Sequence, residues 1–322
     1  MRKTILGRTG LNVSVLALGG HEYLPSGKSR GFNENMALAV APGHIGEGYG
    51  GPKRVALLKT AYDLGINLFD VTIDSEKEAL GRNLRDNPPP YDIVVQTRPE
   101  GMCYSYDKNN RSMLDLGKLR AELQRGLKLI RRDAIDLLNV GLLAWSIDND
   151  PEYLQKLAYN IGELKREGLI RFAVADSFSG ERLYLAMMAC GAFDAVNLDL
   201  SIGDATCLET VVPRARQQNL GVTAREVFFK SELFRIGAAA GIEDRGLLAR
   251  AALKWVAQQQ PDTVLMGVDN SEQLIANARS YDTPMNEEEV LVLSAVRAHP
   301  DFVKFETAKR IEFFELPEDE TA

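Results

Sequence analysis

Cysteine, histidine and tryptophan are all scarce in this chain: among 322 residues there are three Cys, three His and two Trp. Cys103, Cys190 and Cys207 are widely spaced and odd in number, which excludes a disulfide framework and a cysteine-rich metal site. They read as small core or loop residues in a reducing compartment. No apolar run approaches the ~20 residues that a membrane-crossing helix needs. The opening MRKTILGRTGLNVSVLALGG is broken by Arg8, Thr9 and Gly10, unlike a signal peptide. The net charge of -7 and pI near 5.3 leave no basic surface for phosphate backbones. The expectation is a soluble cytoplasmic protein with a small-molecule substrate and neither nucleic acid nor membrane as a partner, its oligomeric state open.

What is present is a repeating strand–helix pattern. The stretch Gly65 to Gly81, GINLFDVTIDSEKEALG, shows the unit: a short apolar strand, Asn67-Leu68-Phe69, with Asp70 at its carboxyl end, then a short loop and a helix. Ser75 and Glu78 have capping-box spacing, which predicts a helix entering at Ser75 with its apolar register from Ala79-Leu80. Strands are predicted from Val15, Asn67, Asp92, Ala134, Ile170, Ala195, Gly221 and Thr263, each followed by a helical segment. Eight such units without a Pro-, Gly- or Ser-rich linker predict a (β/α)8 TIM barrel. Thr4 to Leu6 and Val13 to Val15 read as an N-terminal β-hairpin. One barrel domain is expected over residues 1–322, with a long glycine-rich loop at 20–51 and an acidic tail from about 316.

Asp70, Ser75-Glu76 and Leu80-Gly81, with Leu6 to Leu11 (LGRTGL), Leu164 to Arg171 (LKREGLIR) and Gly267 to Asn277 (GVDNSEQLIAN), occur in an order that resembles the aldo/keto reductases. The resemblance spans nearly the whole chain. It implies the barrel with a hairpin plugging its bottom, and carbonyl reduction with hydride from a nicotinamide cofactor. In that family tyrosine gives the proton, lysine and aspartate depress its pKa, and histidine orients the carbonyl.

Here the family's Tyr-Gly step is missing, because the loop after Asp70 is shortened to Val71-Thr72-Ile73-Asp74. The lysine position reads Arg98, a fixed cation that suits carboxylate or phosphate better than proton relay. The histidine position reads Gly141. Asp176-Ser177 stand where the family holds the nicotinamide carboxamide, Asn197 stands for its glutamine, and Arg225 or Glu226 for its stacking aromatic. Gly267, Gln273 and Asn277 keep the adenine-end positions, as cofactor contacts or as residues that only cap and solvate a helix. No Lys or Arg occurs from Asp262 to Ala278, and Asp269 and Glu272 add negative charge, so NAD(H) is expected over NADP(H) if a dinucleotide binds at all.

A replacement proton donor is sought in the long loop. His21-Glu22 follows Gly19-Gly20 and can face the barrel mouth, where histidine can serve as acid or base. It can equally be a loop histidine with no task. Tyr104 and Tyr106 are alternative donors, and Tyr49, Trp145 and Phe178 can line the mouth or pack over loops. His44 and Glu47 with His21 and Glu22 make only a weak zinc pattern, and no metal is expected. The leading expectation is a divergent enzyme acting on a small polar or anionic molecule through Asp70, Arg98 and His21. The alternatives are a non-redox lyase or isomerase, and a barrel that has lost catalysis and binds a ligand or partner.

Overall fold

In the computed structural model, which describes residues 1–103 and 107–317, eight parallel strands close into a barrel. The hairpin strands β1 (Lys3–Ile5) and β2 (Asn12–Ser14) pair antiparallel, Thr4 opposite Val13. The barrel strands are β3 (Leu16–Gly19), β4 (Leu68–Val71), β5 (Val94–Thr97), β6 (Ile135–Leu142), β7 (Ile170–Ser177), β8 (Ala195–Asp199), β9 (Gly221–Arg225) and β10 (Thr263–Met266). They follow one another in chain order, and β10 pairs with β3 to close the ring. The helices are α1 (Phe32–Ala39), α2 (Pro52–Asp63), α3 (Asp74–Asp86), α4 (Leu116–Ile130), α5 (Trp145–Asn149), α6 (Tyr153–Arg166), α7 (Glu181–Ala189), α8 (Val211–Gln217), α9 (Glu232–Ala239), α10 (Arg245–Gln258), α11 (Ser271–Ser280), α12 (Glu287–Ala298) and α13 (Pro300–Phe314).

Apolar residues on the outward faces of the strands pack against the helices as the main core. The inward faces make a second cluster in which Leu6, Leu11 and Val13 of the hairpin region meet Ala17, Leu68, Val94, Leu137, Val174 and Ala195. The hairpin therefore forms a hydrophobic floor. Helix α3 packs closely on α4 at Gly81, where a Cβ would lie 2.0 Å from the carbonyl oxygen of Leu129. Only glycine permits that approach.

Strand boundaries agree with the sequence pattern to within two residues. Three features differ. The helix expected to enter at Ser75 begins at Asp74 with Ile73 as its N-cap, and no side chain caps it. The loop at 20–51 is not structureless: it carries α1 and a bridge between Tyr23 and Ser29. Beyond α11, two further helices form, α12 behind a capping box of Asn286 and Glu289, and α13 behind His299-Pro300. They build a satellite core of Leu293, Val296 and Phe302 against Leu233, Ile236 and Leu248. Among the described residues no helix is long and apolar enough to cross a membrane.

Candidate active site

Above the hydrophobic floor the barrel lining changes character. On five strands the apolar floor residue is followed two positions later, on the same face, by a polar one: Leu68 by Asp70, Val94 by Gln96, Leu137 by Asn139, Val174 by Asp176 and Ala195 by Asn197. All five polar side chains are buried. Interiors of such barrels are ordinarily layered with Val, Ile and Leu, so a polar layer at the carboxyl ends of the strands marks a site.

Over this layer sits a histidine–carboxylate pair. His21 leaves the end of β3 and its Nδ1 lies 2.7 Å from Glu76 Oε1. The other carboxylate oxygen of Glu76 accepts from the Thr72 amide at 2.9 Å and the Thr72 hydroxyl at 3.0 Å. Gly20 is what lets the chain pass: a Cβ there would come within 2.8 Å of the Asp70 carbonyl oxygen and 2.9 Å of Glu76 Oε2. Burial works against the charge on Glu76, but His21 and the Thr72 bonds outweigh it and hold the carboxyl at about 2. For His21 burial opposes the proton, yet Glu76 overrides it and raises the imidazole above its ordinary value.

Asp70 lies below the pair, its Oδ1 accepting from Gln96 Nε2 at 2.9 Å. Burial pushes Asp70 up to about 6, against the opposing pull of Gln96, His21 and Arg98. Arg98, just past the end of β5, is buried, and its guanidinium lies 5.8 Å from the Phe32 ring. Phe32 also meets His21 edge-on at 5.4 Å, so α1 covers both groups. Asp70, Arg98 and His21 are thus brought together, with Glu76 added.

The first turn of α3 holds the long loop in place. Asp74 accepts the Gly43 amide at 2.6 Å, Ser75 accepts the Gly46 amide at 2.8 Å, and Glu76 takes His21. Ser75 is therefore a loop anchor, not a cap. Farther along, Glu22 accepts the Gly50 amide at 2.6 Å and Arg82 donates to the Tyr49 carbonyl at 2.7 Å. Behind the turn, Lys77 is fully buried, 3.1 Å from Asp74 and 3.7 Å from Glu100. Burial lowers the Lys77 ammonium and raises the Glu100 carboxyl.

The opposite side carries the positions expected to meet a nicotinamide. Asp176 is gripped by Arg225 at 2.7 and 2.9 Å and accepts from Asn139 Nδ2 at 2.9 Å. Arg225 also reaches Asp199 at 2.8 Å, and its guanidinium lies 4.7 Å from the Phe178 ring. Asn197, next to Asp176 in register, is buried with neither its oxygen nor its nitrogen hydrogen-bonded among the described residues. A primary amide in that state is matched by another primary amide, so Asn197 fits the carboxamide of a nicotinamide.

Other expected contacts turn away. The Ser177 hydroxyl bonds to the Gly180 carbonyl and the Ser179 amide. Gln273 accepts the Asp269 amide at 2.8 Å, and Asn277 is buried with its Nδ2 3.6 Å from the Met266 sulfur. At Gly267 a Cβ would meet the Tyr23 hydroxyl at 1.8 Å, so that phenol lies against the glycine. Tyr49 is buried beneath Arg30, and Trp145 is largely exposed on α5. Tyr104 and Tyr106 lie outside the described residues. No three His, Cys, Asp or Glu side chains converge on a metal site among the described residues.

Sequence reasoning assigned no role to Glu76, Gln96 or Asn139. For the two amides a signal existed, a polar residue within an otherwise apolar strand run. For Glu76 the partner is 55 positions away.

The sequence model of the aldo/keto reductase family matches residues 44–230. The methylglyoxal reductase DkgB of Escherichia coli O157:H7 is 22% identical over 246 residues, 75% of this chain and 87% of that protein. Among solved structures, aldo-keto reductase AKR11C1 from Bacillus halodurans, in its holo form, is similar with a TM-score of 0.63 at 19% identity, over 92% of this chain and 96% of that one. The glycerol dehydrogenase AKR11B4 from Gluconobacter oxydans gives a TM-score of 0.65 at 20% identity, over 90% and 93% of the two chains.

Proposed function

Because the chain belongs to the aldo/keto reductase family, we propose that it is an oxidoreductase of small polar carbonyl or hydroxyl compounds in which His21, held by Glu76, moves the proton. The observation that carries this reading is the 2.7 Å bond between His21 Nδ1 and Glu76. It commits Nδ1–H to the carboxylate and leaves Nε2 as the atom that exchanges a proton with substrate.

In the reducing direction the carbonyl carbon gains a hydride and its oxygen gains the proton from Nε2, and the imidazole keeps its Nδ1–H on Glu76. In the oxidising direction Nε2 accepts the hydroxyl proton as hydride leaves the carbon. Asp70, poised at about 6, adjusts the charge beneath the reacting oxygen. Arg98 binds the polar or anionic end of the substrate, and Phe32 covers the pair against water.

A bound nicotinamide dinucleotide supplies or accepts the hydride. Asn197 would hold its carboxamide, with Asp176 and Arg225 alongside. The stretch from Asp262 to Ala278 has no Lys or Arg and carries Asp269 and Glu272, which favours NAD(H) over NADP(H).

The test has two arms. In a thermal-shift titration NADH should raise the melting temperature more than NADPH does. His21→Ala should lower turnover of a carbonyl panel by ~10²–10⁴ while NADH binding is retained. Undiminished turnover in His21→Ala means that the proton takes another route.

A further inference from the structure

Gln96 and Asn139 share an unusual state. Each is buried, at 1% and 6% exposure, on neighbouring strands of the barrel lining. Each donates its amide N–H to a carboxylate, Gln96 Nε2 to Asp70 and Asn139 Nδ2 to Asp176, both at 2.9 Å. Those donations fix which way each amide points, since a carboxylate accepts only from the nitrogen. The amide oxygens, Gln96 Oε1 and Asn139 Oδ1, are then left with no hydrogen-bond partner among the described residues. Native folds keep few such acceptors, and each calls for a donor.

The nitrogens serve the buried carboxylates, but among the described residues the barrel gives the oxygens no donor. Val94 and Leu137, one step lower on the same strands, show that apolar side chains pack this lining. Gln96 is in register with Leu137, so Asn139 stands one pleat step higher on the neighbouring strand, and two buried acceptors so placed call for a ligand with two donors. A cation is disfavoured, because Asp176 already has Arg225 as its counter-charge. Neutral hydroxyl groups meet both requirements.

We propose that Gln96 and Asn139 form a hydroxyl-binding subsite in the polar layer of the barrel, between Asp70 and Asp176, which takes two hydroxyl groups of a small polyhydroxylated substrate. This deepens the proposed function and rests on it for the position of the reacting carbon.

The test is calorimetric titration of the full chain with erythritol and with 1,4-butanediol, which has the same four-carbon length without the two inner hydroxyls. The wild type should bind erythritol at least 10-fold more tightly. Asn139→Leu and Gln96→Met, made separately so that one folded variant suffices, should each bring that ratio close to one with a cooperative melt retained. Equal binding of the two compounds by the wild type overturns the subsite, and so does a preference that survives both substitutions. If the wild type shows no preference and both variants melt higher, the oxygens hold ordered water only, and the subsite is again refuted. The same titration on His21→Ala separates the two readings. Turnover retained in His21→Ala alongside the erythritol preference removes the proton-transfer assignment and leaves the subsite standing. His21-dependent turnover without any preference removes the subsite alone.

Discussion

Glu76→Gln tests the histidine–carboxylate pair most directly, because it changes one charge and almost no volume. The glutamine oxygen can still accept from Thr72, but its NH2 group now faces His21 Nδ1. A neutral ring must then accept at Nδ1 and carry its proton on Nε2. Loss of the anion also removes what holds the imidazole above its ordinary value, so His21 titrates at lower pH. A hydrogen bond to a charged group contributes about 1.5–3 kcal/mol. The imidazole is 36% exposed, so solvent screening places the loss in the lower half of that range. With unfolding entropy near 2.1 cal/mol/K per residue, each kcal/mol moves the melting temperature of a chain this long by ~1.5 °C, and the expected drop is ~2–3 °C. The assay is an imidazole NMR titration, which is tractable because the chain has only His21, His44 and His299. In the wild type, reduction should fall as pH rises through the His21 value, since the protonated ring is the donor. In Glu76→Gln that fall should move to lower pH together with the NMR midpoint. If both midpoints stay where they were, Glu76 does not control the proton on His21, and the proposed mechanism fails.

Asp70→Asn should flatten the pH dependence of stability. A carboxyl raised from 3.8 to about 6 contributes stability that is complete below its unfolded value and is lost as pH rises through about 6, ~3 kcal/mol in all. Denaturant melts at pH 4 and pH 7 should therefore differ less in the variant, and an unchanged difference would rule out the raised carboxyl. Lys77→Met should cost ~3–5 kcal/mol by leaving the buried Glu100 without its ammonium, while Asp74 keeps Arg125. Adding Glu100→Gln should recover part of that loss in chemical denaturation, and full additivity of the two changes would show that the pair is not coupled.

The barrel was legible because every strand of a parallel barrel reads as a short apolar run between helix signals, and that local pattern repeats eight times. Asp70 was legible for the same reason, as the polar residue that ends such a run. The pairing of His21 with Glu76 was not, because it depends on how the long loop folds back over α3, and no periodicity in a glycine-rich loop reports that. Ser75 and Glu78 misled because capping-box spacing is a local preference, and the Ser75 hydroxyl is engaged by the Gly46 amide instead. The last two helices carried signals of their own, Asn286 with Glu289 and then Pro300. Gln96 and Asn139 show the limit most clearly: the sequence places them inside strands, but only the closed barrel shows that each bonds a buried carboxylate and leaves its oxygen without a partner among the described residues.

The middle of the long loop is held to α3 by the amides of Gly43 and Gly46 and by Ala39 and Tyr49 packed on Ile73 and Ala79, and the Gly50 amide ties its end back to Glu22 at its start. Amide attachments do not read the side chains between them. Met36, Leu38 and Ile45 project into solvent from the same segment, so the rim of the mouth can be re-sculpted by mutation without detaching it from the scaffold. The exposed stretch of the loop is thus a natural place to graft new substrate preferences, while His21 at its start stays held by Glu76 on the first turn of α3.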